Sequence, residues 1–170
     1  MTLDELNALP EAEAHEAFAR CCGASRWVGQ MVARRPFVGV QSVLGIAFGF
    51  WMGLGPEDWR EAFTHHPRIG DLESLKRRFA STADLASREQ SAVAAASRVV
   101  LEALAEGNRA YEERFGYIFI VFASGRSAEE MLALLKDRLG NDPEAELRIA
   151  AKEQWKIMRL RLDTMLGGPR

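Results

Sequence analysis

With 170 residues, 22 Lys and Arg against 24 Asp and Glu, and a formal net charge of −2, the chain lacks the basic surplus that nucleic acid or an anionic membrane demands. Its 48% hydrophobic and 27% charged residues are those of an ordinary globular chain, long enough to bury a real core, so residues 1–170 are read as a single domain. No apolar run approaches the ~20 residues of a membrane-spanning helix, and neither nucleic acid nor membrane is expected as a partner.

Thr2-Leu3-Asp4-Glu5 has the spacing of a capping box that opens a short helix. The first 20 residues hold four Glu, one Asp and no apolar stretch, which argues against a secretory leader. Residues 11–22 have a helical composition that ends near Gly23. Cys21 and Cys22 are neighbours, a spacing that rarely meets disulfide geometry, so a reducing, cytoplasmic setting is expected. The next helix covers 25–34 and stops before Pro36, and an apolar one follows from Val40 to Met52. Pro56 at a first helical position, with Glu57 and Asp58 in the first turn, predicts a helix through Phe63. Pro67 then takes His66 out of helical geometry, and Gly70 permits a turn. Leu72–Phe79 reads as a short helix with a basic face, and a long helix runs from Ser87 to Phe115. Ser127-Ala128-Glu129-Glu130 is a second capping box, opening a helix over 128–139. Asp142 as N-cap and Pro143 in the first turn begin the last helix, which runs to Leu166. The exception is Phe115 to Gly125, whose β-branched and aromatic residues favour a strand. One strand makes no sheet, so the segment is read as a buried extended or tightly wound connector. The expected fold is all-α, a single-domain bundle of about seven to nine helices with an apolar connector at 116–124.

Three side chains break the pattern. His66 at a helix break can face a cleft from a rigid backbone, and imidazole is suited to moving protons near neutral pH. A purely structural histidine is the alternative. On a 100° wheel with Leu147 at zero, Ala150, Ala151, Ile157, Met158 and Met165 fall within about 80°. Arg161 lies about 40° from Leu147 on that apolar side, with Gln154 beside it. A guanidinium there is costly unless an anion meets it, and that anion can be a structural carboxylate or a ligand. Snorkelling near the helix end is a third option. Glu89 shares an arc with Val93, Ala96, Val100, Ala103 and Leu104. A first-turn Glu also favours the helix dipole, and Ser87-Arg88-Glu89-Gln90 has the capping spacing. His65 and His66 point apart, with no metal-ligand spacing nearby, so no metal is expected. Ser124 lacks the Gly-x-Ser-x-Gly pattern of a nucleophile turn. The cysteines and Trp27, Trp51, Trp59 and Trp155 read as core. One imidazole, one carboxylate and one guanidinium on separate elements suit proton transfer on a small anion, without naming it.

Cys22-Gly23-Ala24-Ser25-Arg26-Trp27, Arg35-Pro36-Phe37 and His66-Pro67-Arg68-Ile69-Gly70 recur in this order in one known family. So do Glu89-Gln90, the run Asn108 to Gly116, the apolar segment 117–123, Glu144-Ala145-Glu146-Leu147 and Leu160-Arg161-Leu162. On these landmarks the chain resembles the 2-oxo-4-hydroxy-4-carboxy-5-ureidoimidazoline (OHCU) decarboxylases over nearly its whole length. The resemblance implies an all-α homodimer without metal or organic cofactor. It also implies the last step of urate-to-allantoin purine catabolism, a decarboxylation that gives (S)-allantoin. The family's histidine before proline matches His66, its glutamate before glutamine matches Glu89, and its arginine near the C-terminus matches Arg161. Expected substrate contacts are Pro67, Ala86, Ser87, Arg88 and Gln90, with Phe119, Ile120, Val121, Phe122 and Ala123 lining the pocket through their backbone.

One departure matters. The family usually has Ser-x-x-Glu-Gln; here Ala86 fills the Ser place and Ser87 comes one residue late. Ala86 then offers backbone contacts only, and Ser87 can cap the helix with Gln90. In the implied mechanism His66 is the general acid that supplies or relays a proton, Glu89 binds ring or ureido N–H groups, and Arg161 engages the anion. Two other functions fit the residues: a lyase or hydrolase acting on a related ureide, and a non-catalytic helical binding module.

Overall fold

The computed structural model describes Met1–His66, Leu75 and Gln90–Gly167, with backbone alone for 90–97. Its described residues form eight helices and no strand. These are α1 (Leu3–Ala8), α2 (Glu11–Ala19), α3 (Ser25–Ala33), α4 (Val40–Met52), α5 (Pro56–Thr64), α6 (Gln90–Phe115), α7 (Ala128–Leu139) and α8 (Pro143–Met165). The chain divides into two compact units, Met1–His66 with Leu147–Arg170, and Pro67–Glu146. No described helix is long and apolar enough to cross a membrane.

The helix starts follow their caps. Thr2 Oγ1 accepts from Glu5 N at 3.2 Å while Thr2 N donates to Glu5 Oε2 at 2.7 Å, a reciprocal box. Ser127 and Glu130 repeat it at 3.2 and 2.8 Å. Asp142 Oδ1 accepts from Glu144 N at 2.9 Å and Ala145 N at 3.2 Å, meeting two donors that α8 leaves open. α2 ends at Ala19, earlier than its composition predicts, and both Cys21 N and Cys22 N donate to the Phe18 carbonyl. Of the predicted Leu72–Phe79 helix only Leu75, helical and buried, is described. The predicted start of the long helix at Ser87 lies outside the described residues.

In the first unit α3 packs against α2, α4 and α5. Three tryptophans bury their rings there, and each indole N–H finds a main-chain carbonyl. Trp27 Nε1 donates to Ala47 O at 3.0 Å, Trp51 Nε1 to Ala151 O at 2.8 Å and Trp59 Nε1 to Trp51 O at 3.0 Å. A buried N–H without an acceptor would offset much of what each ring gains by leaving water. Trp155 departs from the core reading: it is half-buried and packs on exposed Phe48, with ring centroids 5.2 Å apart. Of the residues the wheel placed on the apolar side of α8, Ala150, Ala151 and Met158 line the core, whereas Ile157 and Met165 are only half-buried.

In the second unit α6 packs along α7. Gly116 ends α6 at φ +76°, a backbone conformation that a side chain resists. Residues 116–127 then run without helix or strand. The expected burial of this connector holds for Tyr117 and Ile120, whereas Ile118, Phe119, Val121, Phe122 and Ala123 are only half-buried. A buried charge network holds it. Arg138 is 6% exposed and Glu146 0%. Arg138 donates to Glu146 Oε1 from Nε at 2.8 Å and from Nη2 at 2.5 Å, and to the Ile120 carbonyl from Nη1 at 2.8 Å. Tyr111 OH donates to the same Glu146 oxygen, and Asn141 Nδ2 occupies Oε2 at 2.7 Å. The guanidinium also lies over the Phe119 ring, 4.6 Å from its centroid.

Removing one partner of such a pair leaves a buried charge uncompensated. Glu146→Leu should lower unfolding free energy by about 3–5 kcal/mol, measured by urea denaturation. A loss under about 1 kcal/mol would mean the pair is no more than a surface-type contact.

Candidate active site

His66 stands where α5 has just ended. His65 N donates to Ala62 O and His66 N to Phe63 O, both at 3.2 Å, so the backbone is tied down while the half-buried imidazole is left to act. Gly23 fixes the neighbouring histidine: a Cβ there would overlap the His65 ring near its root. The imidazole of His66 titrates below the usual 6.5, first because burial disfavours its charged form and then because Arg161 is a like charge nearby. His65 adds to that effect, and the amide of Gln154 opposes it. His66 is therefore neutral near pH 7 in the ligand-free chain.

Arg161 is half-buried on α8, and its Nη1 donates to the Cys21 carbonyl at 3.1 Å. That carbonyl lies just past the end of α2, where the helix dipole is negative. No carboxylate among the described residues pairs with Arg161, so the structural ion pair weighed above is not found there. Among the described residues this one neutral acceptor leaves most of the guanidinium fork without a partner. The adjacent thiols do not compete as nucleophiles. Burial pushes Cys21 up to about 11 and Cys22 to about 12, despite the lowering influence of Arg161. Both are free and buried, as their core reading expects.

His66 and Arg161 thus both belong to the first unit, where the imidazole senses the Arg161 charge. Pro67, Ala86, Ser87, Arg88 and Glu89 lie outside the described residues, and Gln90 is described only as the first residue of α6. Phe119 to Ala123 belong to the second unit. There the Ile120 carbonyl already accepts from Arg138, and the Phe122 carbonyl accepts from Arg126 Nε at 3.2 Å. Among the described residues no group of three or more His, Cys, Asp or Glu could hold a metal ion. The sequence reading passed over Arg138, and it named Glu146 only within the landmark Glu144-Ala145-Glu146-Leu147, with no role. A wheel drawn on α7 would have flagged Arg138, which continues the buried stripe of Met131 and Leu135.

An imidazole with a lowered proton affinity, sensing a guanidinium that has one neutral acceptor among the described residues, is an arrangement able to do acid–base chemistry on a small anion. The OHCU decarboxylase family profile matches residues 7–163, and the chain belongs to that family. It is 41% identical over 143 residues to the uric acid degradation bifunctional protein TTL of Arabidopsis thaliana, covering 84% of this chain but 44% of that one. The chain therefore spans less than half the length of that relative. It is 28% identical to the 2-oxo-4-hydroxy-4-carboxy-5-ureidoimidazoline decarboxylase of Amia calva, covering 99% of this chain and 97% of that one. A crystal structure of an OHCU decarboxylase in the presence of (S)-allantoin superposes with a TM-score of 0.70 at 36% identity, covering 88% of this chain and 96% of that one.

If the Arg161 charge helps keep His66 neutral, Arg161→Leu should raise the His66 midpoint, read by NMR titration of the imidazole. An unmoved midpoint would show that the two groups do not sense each other.

Proposed function

We propose that this chain carries out the family's reaction, decarboxylating 2-oxo-4-hydroxy-4-carboxy-5-ureidoimidazoline to (S)-allantoin at the end of the urate-to-allantoin route. Family membership supports a decarboxylase. The observation that carries the chemistry is the Arg161 guanidinium, held by one carbonyl, beside an imidazole kept neutral.

The substrate name defines the task. One ring carbon bears both a hydroxyl and a carboxylate, next to a conjugated C=N. When the carbon–carboxylate bond breaks, its electron pair moves into that C=N and carbon dioxide leaves. The ring nitrogen that receives the pair takes a proton from water. What is left is an enol: its hydroxyl must lose a proton, and the ureido-bearing carbon must gain one on a single face. A neutral His66 can take the first and return the second, so it relays rather than supplies the proton. Arg161 engages the carboxylate and the negative charge that spreads into the ring. Glu89 and Gln90 bind ring and ureido N–H groups, with Pro67, Ala86, Ser87 and Arg88 beside them. The backbone of Phe119 to Ala123 supplies further contacts. The resemblance supports these last assignments, and it supports a homodimer. The free thiols Cys21 and Cys22 favour the cytoplasm.

Uncatalysed decay of the substrate gives racemic product, so chirality isolates the enzyme's contribution. Freshly generated substrate should give a single allantoin enantiomer by polarimetry. His66→Ala should lose about 10²–10⁴-fold in rate and yield racemate. Wild-type turnover in that variant would remove the proposed relay. Arg161→Ala should lower kcat/KM by about 100-fold or more with little change in melting temperature, since no described ion pair is broken.

The pH profile follows from the neutral resting ring. A relay that begins by accepting a proton needs His66 unprotonated in the free enzyme. kcat/KM should be full above the lowered His66 midpoint and fall as pH drops through it, with that midpoint under 6.5. A profile that instead falls as pH rises past this midpoint would make His66 a proton supplier.

A further inference from the structure

We infer that Glu61 is a positioning residue: by clamping the start of α3 to the last turn of α5, it sets where the His66 imidazole stands relative to Arg161. That this placement governs turnover rests on the decarboxylase reading; the clamp itself does not. Residues 20–24 join α2 to α3 and take no part in the proposed chemistry, yet this stretch reaches both sides of the site. Toward α8, the Cys21 carbonyl accepts from Arg161 Nη1 at 3.1 Å. Toward α5, Gly23 lies so close to His65 that an added Cβ would stand 2.3 Å from the ring Cγ and 2.7 Å from the His65 Cβ. Ser25 then gives Glu61 both its donors, N to Oε2 at 3.2 Å and Oγ to Oε1 at 2.5 Å. Between Cys21 and Ser25 the chain thus meets the cation at one end and the histidine-bearing end of α5 at the other.

The start of α3 has no cap of its own. Its N-cap is Ala24, whose methyl accepts no hydrogen bond, and its first turn holds no acid. The Glu61 carboxylate, arriving from α5, takes an N–H that α3 leaves open and puts negative charge at that helix start. Asp58, one turn earlier on α5, faces the same helix start, 3.7 Å from Arg26. Past Glu61 the chain is tied tightly up to the imidazole. The Glu61 carbonyl accepts from Thr64 Oγ1 at 2.7 Å, and His65 N and His66 N close on Ala62 O and Phe63 O. A shift of the end of α5 is therefore carried to His66, while Arg161 stays with α8 and the Cys21 carbonyl. A misplacement of about 1 Å can lower a rate about 100-fold, so an anchor here acts on kcat.

The test compares Glu61→Ala, which loses both bonds, with Glu61→Gln, whose amide can still accept from Ser25 N and donate to Ser25 Oγ. Glu61→Ala should lower kcat about tenfold with KM within about twofold of wild type, and Glu61→Gln should restore most of that loss. A second readout needs no substrate: the His66 midpoint, from NMR titration of the imidazole in ligand-free protein. The charged and titratable groups that bear on that ring are Arg161 and His65. Loss of the Glu61 charge alone would lower the midpoint, whereas a ring moved out of its burial and away from Arg161 has a raised one. The midpoint should therefore rise in Glu61→Ala and stay in place in Glu61→Gln. An unmoved or lowered midpoint in Glu61→Ala would overturn the inference and leave Glu61 a helix cap that acts on melting temperature alone. Equal losses of kcat in the two variants would overturn it as well, because the charge and not the clamp would then be responsible. A wild-type chain that does not decarboxylate, yet whose midpoint rises in Glu61→Ala, would sink the reaction and leave the clamp standing.

Discussion

A guanidinium taken out of water has to be met on every side, and Arg138 is. Glu146 Oε1 takes two of its donors, the Ile120 carbonyl a third, and the Phe119 ring covers its face. This single requirement organises the second unit. The connector after α6 has no ladder and no helical hydrogen bonds to hold it, so its backbone would otherwise wander. Arg138 holds Ile120, and the first turn of α8 is tied to α7 through Glu146 and Asn141. Tyr111 is the aromatic centre of the same cluster, with Phe115, Tyr117 and Phe119 packed around its ring. Its hydroxyl is held far from ionisation by burial first and by the Glu146 hydrogen bond second.

Arg161 is the same residue type with a different environment. It gives one donor to the Cys21 carbonyl and meets no described carboxylate. Arg138 makes four hydrogen bonds and is structural, whereas Arg161 makes one among the described residues. Coulomb attraction between unit charges at 4 Å is about 1 kcal/mol in water and about 4 kcal/mol near a protein surface, so a half-buried open cation is a strong invitation to an anion. The hydrogen-bond inventory separates the two arginines, which burial on a helical wheel does not.

Local chemistry in the sequence was enough for most of the fold. The caps at Thr2, Ser127 and Asp142 and the proline at Pro56 each depend on residues no more than three positions apart, and each helix begins where they say. The wheel likewise anticipated the buried face of α8 and the anomaly at Arg161. What stayed hidden depends on partners distant in the chain. Glu146 is unremarkable on its own helix, and only the approach of Arg138 and Tyr111 makes it a buried counter-ion. Trp155 failed for a related reason: an aromatic on a helix flank is core or half-buried according to what packs there, and Phe48 leaves it part-exposed. The helix break at His66 was legible from Pro67, but its lowered affinity for protons was not, because burial in the fold and then a charge far along the chain on α8 cause it.

That remote cause gives the site its logic. An isolated imidazole near pH 7 is a mixture of charged and neutral rings. Burial and the Arg161 charge together lower the charged fraction before any ligand arrives. An anion that binds Arg161 cancels part of the field that kept the ring neutral, so the same event that seats a substrate raises the ring's affinity for a proton. In the proposed reaction that is the moment at which His66 must accept one. In that proposed reaction the cation acts twice, first by holding the relay empty and then, once neutralised, by letting it fill. A lysine in its place would carry the same charge but lose the planar fork that reaches both the Cys21 carbonyl and an anion.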